Sequence, residues 1–301
     1  MKNLLLIIAL TGCGQLPGHD KKSESQASPF SYEFLSTRLL SRFVENGYVV
    51  SRHPSGEPDH QGEGLLWSGI ALDALRCEDG NAIEDFLIAG IVKRNGALVR
   101  TEPLLGYEGK NEITLDGALG LYRGIASRAK RCKTGPKWAE ALSLHAAMVD
   151  RLGGAMNPNA PAKLGVFAYV LDSLVKRQSI NAKGFGVEKT ALEVSVVSWA
   201  FGVIVTKNAC YRLNLTLLAL QTLDDTGDSI SGKAKKQYCN ATRGGRVATI
   251  ERYCGRPENF VSEFKLNEWE YAHQRCKAWE KPDGAGLETP ALDLLTMMGD
   301  H

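Results

Sequence analysis

The chain has no segment at its start that could hold a bilayer by itself, because the apolar run Leu4 to Leu10 stops at seven residues where a spanning helix needs about 20. It has no excess of charge either. Lys2 is the only charged side chain among the first twelve residues, so without them 36 basic groups become 35, set against 34 acidic ones. A balance this even leaves no electrostatic footprint for nucleic acid, and no nucleic-acid partner is expected. The six histidines are scattered, and neither HExxH nor CxxC occurs. No zinc or haem site is expected, and no metal or cofactor. Strand signals are few: Tyr48 to Ser51 and Val203 to Thr206 are compatible with β structure, but each also fits a helix end or a loop.

What is present begins with a leader. Lys2, the apolar run, and then the small residues Thr11 and Gly12 have the architecture of an export signal. Leu10-Thr11-Gly12-Cys13 resembles the lipobox of bacterial lipoproteins. That resemblance implies removal of residues 1–12, a diacylglyceryl group on Cys13 and a membrane partner reached through that lipid. Several acyl chains on one residue exceed what durable anchoring requires, at about 0.8 kcal/mol per buried methylene. Gly14, rather than Asp, after the cysteine implies the outer membrane if the host is Gram-negative. An ordinary signal peptide with a chance cysteine is the alternative. Residues 14–29 are polar and hold almost no large apolar side chain, so a solvated tether is expected, with an end-to-end distance of roughly 20 to 24 Å.

Six further cysteines remain, Cys77, Cys132, Cys210, Cys239, Cys254 and Cys276. An even number fits three disulfides in an oxidising envelope. Cys77 and Cys132 each close a predicted helix and are the favoured pair, leaving the last four to pair among themselves. Free buried thiols are the alternative.

From Phe30 onward the periodicity is helical, and one α-helical domain over residues 30–301 is expected. Phe34, Leu35, Leu39, Leu40, Phe43 and Val44 share a face, and Gly47 supplies a left-handed stop. Further helices are read over 65–75, 83–92, 115–130, 136–152, 161–177, 189–205 and 211–223, and shorter ones over 233–240, 247–254, 266–279 and 290–298. The stretches 191–205 and 215–223 are apolar almost all round and belong in an inner layer. The fold class expected is therefore all-α, built of helical hairpins as an (α/α)-toroid-like or irregular multi-helix domain. A repeat solenoid is disfavoured because no fixed period recurs.

Three polar stretches precede or occupy predicted helices. In the first, Asp59, His60 and Glu63 gather at a helix start with Trp67 one turn in, as ligands and stacking platform for a sugar ring; a simple helix cap is the plainer reading. In the second, Arg100 is followed by Thr114 and Asp116, and Arg123 lies two turns beyond Asp116 on the same face. A carboxylate and an arginine suit glycan hydroxyls or an acidic sugar, and an ordinary buried ion pair equally. The third runs from Asn267 to Glu280. There Glu270 and His273 form an i, i+3 pair able to tune each other's proton affinity, with Trp269, Tyr271 and Arg275 alongside; an exposed face with a core stripe is the alternative.

These patches, Gly62 to Gly69, Leu115 to Gly120 and Trp269 to Arg275, resemble the helix-start segments of (α/α)-toroid glycan-processing enzymes. The similarity covers about a tenth of the chain. It implies a sugar polymer as ligand, with Glu63, Asp116, Glu270 and His273 as acid/base candidates. Asp59, Trp67, Arg100, Trp269, Tyr271 and Arg275 would then contact substrate, and a lyase would draw on Tyr271, His273 and Arg275 instead. A non-catalytic lipoprotein holding a glycan or a partner protein at the membrane surface fits the same residues, and nothing in the sequence indicates an oligomeric state.

Overall fold

The structure is a computed structural model that describes residues 31–50, 57–58, 63–102, 112–181, 183–202, 209–242 and 248–256. Helix α1 (Tyr32–Phe43) starts at Ser31, whose hydroxyl accepts from the Phe34 amide at 3.2 Å, satisfying a donor left open at any helix start. It buries Leu35, Leu39 and Phe43 along one stripe. The chain then turns through an antiparallel hairpin, β1 (Val44–Glu45) and β2 (Tyr48–Val49), by way of Asn46 and Gly47, both at positive φ. Gly47 is thus left-handed as expected, but inside a hairpin turn of the Asn-Gly kind.

Next come α2 (Gly64–Ala74), α3 (Asn81–Lys93), α4 (Leu115–Arg131) and α5 (Gly135–Arg151). A second hairpin, β3 (Ala155–Asn157) with β4 (Ala160–Lys163), leads through a 3-10 turn at Gly165–Phe167 into α6 (Ala168–Arg177). The remainder is α7 (Lys189–Gly202), α8 (Ala209–Thr226), α9 (Gly232–Ala241) and α10 (Ala248–Tyr253). The fold is all-α, and the strands among the described residues form only these two hairpins. The sequence expectation of a helix from Pro161 is corrected. That stretch opens as β4, and helix begins at Ala168 once the hairpin closes.

Helices α2 and α4 run parallel. Moving along both in step, Glu63 meets Thr114, Gly69 lies on Gly120, Asp73 pairs with Arg123, and the carbonyl of Leu75 accepts from Arg131. Glycine makes the approach possible: a Cβ on Gly69 would stand 2.2 Å from the Gly120 carbonyl oxygen, and one on Gly124 would stand 2.4 Å from that of Gly69. Helices α3 and α5 are matched in the same sense. Glu84 meets Trp138, and Gly96, just past α3, lies on Leu144. Every residue of α2 is buried, and α8 packs on α4 with Leu213, Leu215, Leu217, Leu218, Leu220 and Leu223 all buried. Helices α2, α4 and α8 thus make an inner row, with α3 and α5 returning outside it. Helix α7 does not join that row. Leu192, Val196 and Ala200 are buried but Val194 is 68 % exposed, so the expected inner-layer position of 191–205 is corrected, for its residues up to 202, to a helix with one covered face.

The interior carries charge. Arg123 on α4 forks onto Asp73 of α2, with Nη2 to Oδ1 at 2.6 Å, and also pairs with Asp225 of α8, tying the inner row together. Arg128 and Glu84 pair at 3.0 Å with both side chains wholly buried, and the Trp138 indole donates to the same carboxylate at 2.7 Å. Buried ions are tolerated only when paired and hydrogen-bonded in this way. The disulfide Cys77–Cys132 joins the ends of α2 and α4, as the sequence favoured, and Cys239–Cys254 joins α9 to α10.

Candidate functional site

Parallel packing brings the N-terminal ends of α2 and α4 side by side, and the polar residues that precede each helix meet there. Glu63 occupies the N-cap position of α2 but makes no side-chain capping bond. Its carboxylate turns across to α4, accepting the Thr114 hydroxyl proton at 2.9 Å on Oε2 and pairing with Arg100 through Oε1. Thr114 does two jobs, since its oxygen also accepts from the Gly117 amide and caps α4. Asp116 sits in the first turn of α4.

Arg100 is held by its own backbone. Its amide donates to the Glu112 carbonyl at 2.8 Å, and its carbonyl accepts from the Leu65 amide and the Tyr48 hydroxyl, each at 3.1 Å. The segment carrying Arg100 is therefore stitched to the first residues of α2, which fixes the guanidinium beside Glu63. Of the candidates read from sequence, the structure brings together Glu63, Arg100 and Asp116, from segments far apart in the chain.

Burial and the nearby negative charge of Asp116 push the Glu63 carboxyl up to about 7, against the opposing pull of Arg100 and Thr114. A carboxyl with such a proton affinity exchanges its proton near neutral pH, the property a general acid or base requires. The positive ends of two helix macrodipoles face the same spot and favour whatever negative charge resides there.

Trp67 lies one turn into α2 and is only 7 % exposed, so it offers little face for stacking. Arg123, read as an associate of Asp116, is committed instead to Asp73 and Asp225. Asp59, His60, Trp269, Glu270, Tyr271, His273 and Arg275 lie outside the described residues, as do the side chains of Cys13, Cys210 and Cys276. The Asp73-Arg123-Asp225 cluster escaped the sequence reading. Its clearest signal was Asp73, the one charged residue in the otherwise apolar α2, which core packing does not call for.

Among the described residues, no group of three or more His, Cys, Asp or Glu is placed to hold a metal ion, and no helix is long and apolar enough to cross a membrane. No family model, curated protein or solved structure matches the chain.

Proposed function

We propose that this is a lipid-anchored protein of the bacterial envelope that acts on a glycan at the joined N-terminal ends of α2 and α4. Glu63 serves as the acid/base group, Asp116 is the second carboxylate and Arg100 provides charge stabilisation. The observation that carries the reading is the Glu63 carboxyl, buried beside Asp116 with its proton affinity raised to about 7. A carboxyl that can hold a proton near neutral pH, with a second carboxylate close by, is the arrangement used to cleave glycosidic bonds. The lipobox-like Leu10-Thr11-Gly12-Cys13 and the even count of six other cysteines support the envelope location.

A non-catalytic reading has its own observation. Both oxygens of Glu63 already have protein partners, Arg100 and Thr114, as in a structural ion pair. In that case the same rim binds a glycan without cleaving it.

The test is turnover of purified, lipid-free protein on a panel of cell-wall and exopolysaccharide glycans, with Glu63→Gln alongside. Catalysis by Glu63 predicts a loss of about 10² to 10⁴-fold in the variant. Binding without turnover selects the second reading, and neither binding nor turnover removes the glycan. Mass spectrometry of the mature protein tests the anchor: an unmodified Cys13 or a retained leader refutes it.

A further inference from the structure

A groove of about 370 Å³ opens at the opposite end of α4 from Glu63, lined by Lys130, Lys133, Arg177, Gln178 and Asp225 among others. We infer that it is a binding site for a phosphate-bearing anion, held by Lys133, Arg177 and Gln178.

Charge accounting favours an anion. Asp225 is the carboxylate in the lining, and its charge is already met by Arg123 and by Lys130 at 2.9 Å, which hold it well below the usual carboxylate range. Those three groups, with Asp73, sum to no net charge. Lys133 and Arg177 are exposed and have no ion-pair partner among the described residues, so two positive charges remain unmatched at the groove. Gln178 adds a donor: its Nε2 is buried yet has no hydrogen-bond partner. Its Oε1 stands 2.0 Å from where a Cβ on Gly135 would sit, so only glycine at that position lets the amide close over the start of α5.

The same start contributes. Helix α5 is 17 residues long, its N-cap Thr134 makes no side-chain capping bond, and its first residue, Gly135, brings a backbone amide to the border of the groove, while Pro136 beside it has none to donate. That amide and the positive end of a helix suit a phosphoryl group. A guanidinium fork supplies the planar, two-pronged contact that phosphate oxygens accept, and the lysine adds a point charge. The disulfide at Cys132 fixes the residue next to Lys133, so the site is braced before any ligand arrives. A volume near 370 Å³ falls in the range of small-molecule sites.

Two sources share this chemistry, a soluble phosphate ester and a phospholipid headgroup. Inorganic pyrophosphate is titrated into the purified chain by calorimetry at low salt, and vesicles containing phosphatidylglycerol are tested by co-sedimentation. Lys133→Gln and Arg177→Gln, both at exposed positions, are compared with Lys183→Gln in a separate groove as control, and thermal midpoints verify folding. The expected result is binding in at least one arm, weakened about tenfold by each groove substitution and unaffected by the control. Response to pyrophosphate alone assigns a soluble ligand; response to vesicles assigns the headgroup. Absence of binding in both arms, or variants binding as the parent does, overturns the site.

Discussion

Replacing Glu63 by glutamine should alter how stability varies with pH in a way that geometry alone would not predict. In the folded protein the Glu63 carboxyl is raised from its ordinary 4.5 to about 7. Between those values the folded state holds a proton that the unfolded chain has released, so stability falls as pH rises through the window and levels off above 7. At 1.36 kcal/mol per pH unit the fall is about 3 kcal/mol.

The parent protein conceals the effect, because His145 works against it. Its Nδ1 donates to the Gly96 carbonyl at 2.7 Å, leaving Nε2 to accept from the Tyr122 hydroxyl at 2.6 Å. Burial pushes this imidazole from 6.5 down to about 4, opposed only by the Gly96 bond. Here the unfolded chain takes up the proton first, so stability falls as pH drops from 6.5 towards 4, again by about 3 kcal/mol. Over the shared window the two slopes oppose each other, so the contribution of Glu63 is masked in the parent's own profile. The measurement is therefore a difference: urea unfolding of parent and Glu63→Gln at pH 4.5, 5.5, 6.5 and 7.5. Any offset from leaving Arg100 without its partner is independent of pH. The parent's stability relative to the variant should drop by about 3 kcal/mol across the series. A difference constant to within about 0.5 kcal/mol would falsify the burial argument and remove Glu63 as a proton carrier.

Gly120→Ala places a Cβ 2.6 Å from Leu66 Cδ1 and 3.0 Å from its carbonyl oxygen; forcing α2 and α4 apart should cost about 1 to 3 kcal/mol, read by chemical denaturation. Arg128→Met removes the buried partner of Glu84 and leaves its carboxylate with the Trp138 indole and the partly exposed Lys137 at 3.5 Å; it should cost about 3 kcal/mol in the same assay. Replacing both Cys77 and Cys132 by serine opens a loop of 55 residues, for which the chain-entropy relation gives about 4 kcal/mol; the 15-residue loop closed by Cys239 and Cys254 gives about 3 kcal/mol. The reverse order in thermal or urea unfolding would show that native-state strain, not loop size, sets these contributions.

Much of the helical framework was legible because periodicity and capping are local. Thr114 before Leu115, Pro136 in the first turn of α5 and the apolar stripe of α1 mark their elements within a residue or two. The misreading at Pro161 has a local cause too. Four residues of hairpin and a short 3-10 turn carry too few side chains to display a period, and the apolar residues of α6 extended the helical pattern backwards over them. The inner position of α8 and the one-sided burial of α7 illustrate the limit. Both sequences are apolar on most faces, and only the neighbours of each helix decide which faces are covered. The partners of Arg123 were beyond reach for the same reason: they lie 50 and 102 residues away along the chain.

Glu63 and Asp116 are 53 positions apart in sequence, yet their meeting follows from connectivity. A hairpin of two helices returns the chain to the end from which it started. When the second hairpin lies parallel to the first, the segments before α2 and before α4 emerge at one rim, and capping requires polar residues in both. Charged side chains thus accumulate at that rim for structural reasons. What distinguishes Glu63 is that it leaves its own helix uncapped and reaches to the neighbouring one, a choice that burial makes unfavourable for an ionised carboxyl. If capping were all the position had to supply, serine or aspartate would satisfy the α2 amides at lower cost, and Glu63→Ser would be at least as stable as the parent at pH 7.5. A protein stabilised by that change but deprived of glycan binding or turnover would show that the glutamate is kept for chemistry; one stabilised with every activity intact would leave Glu63 a structural residue and the rim without its acid.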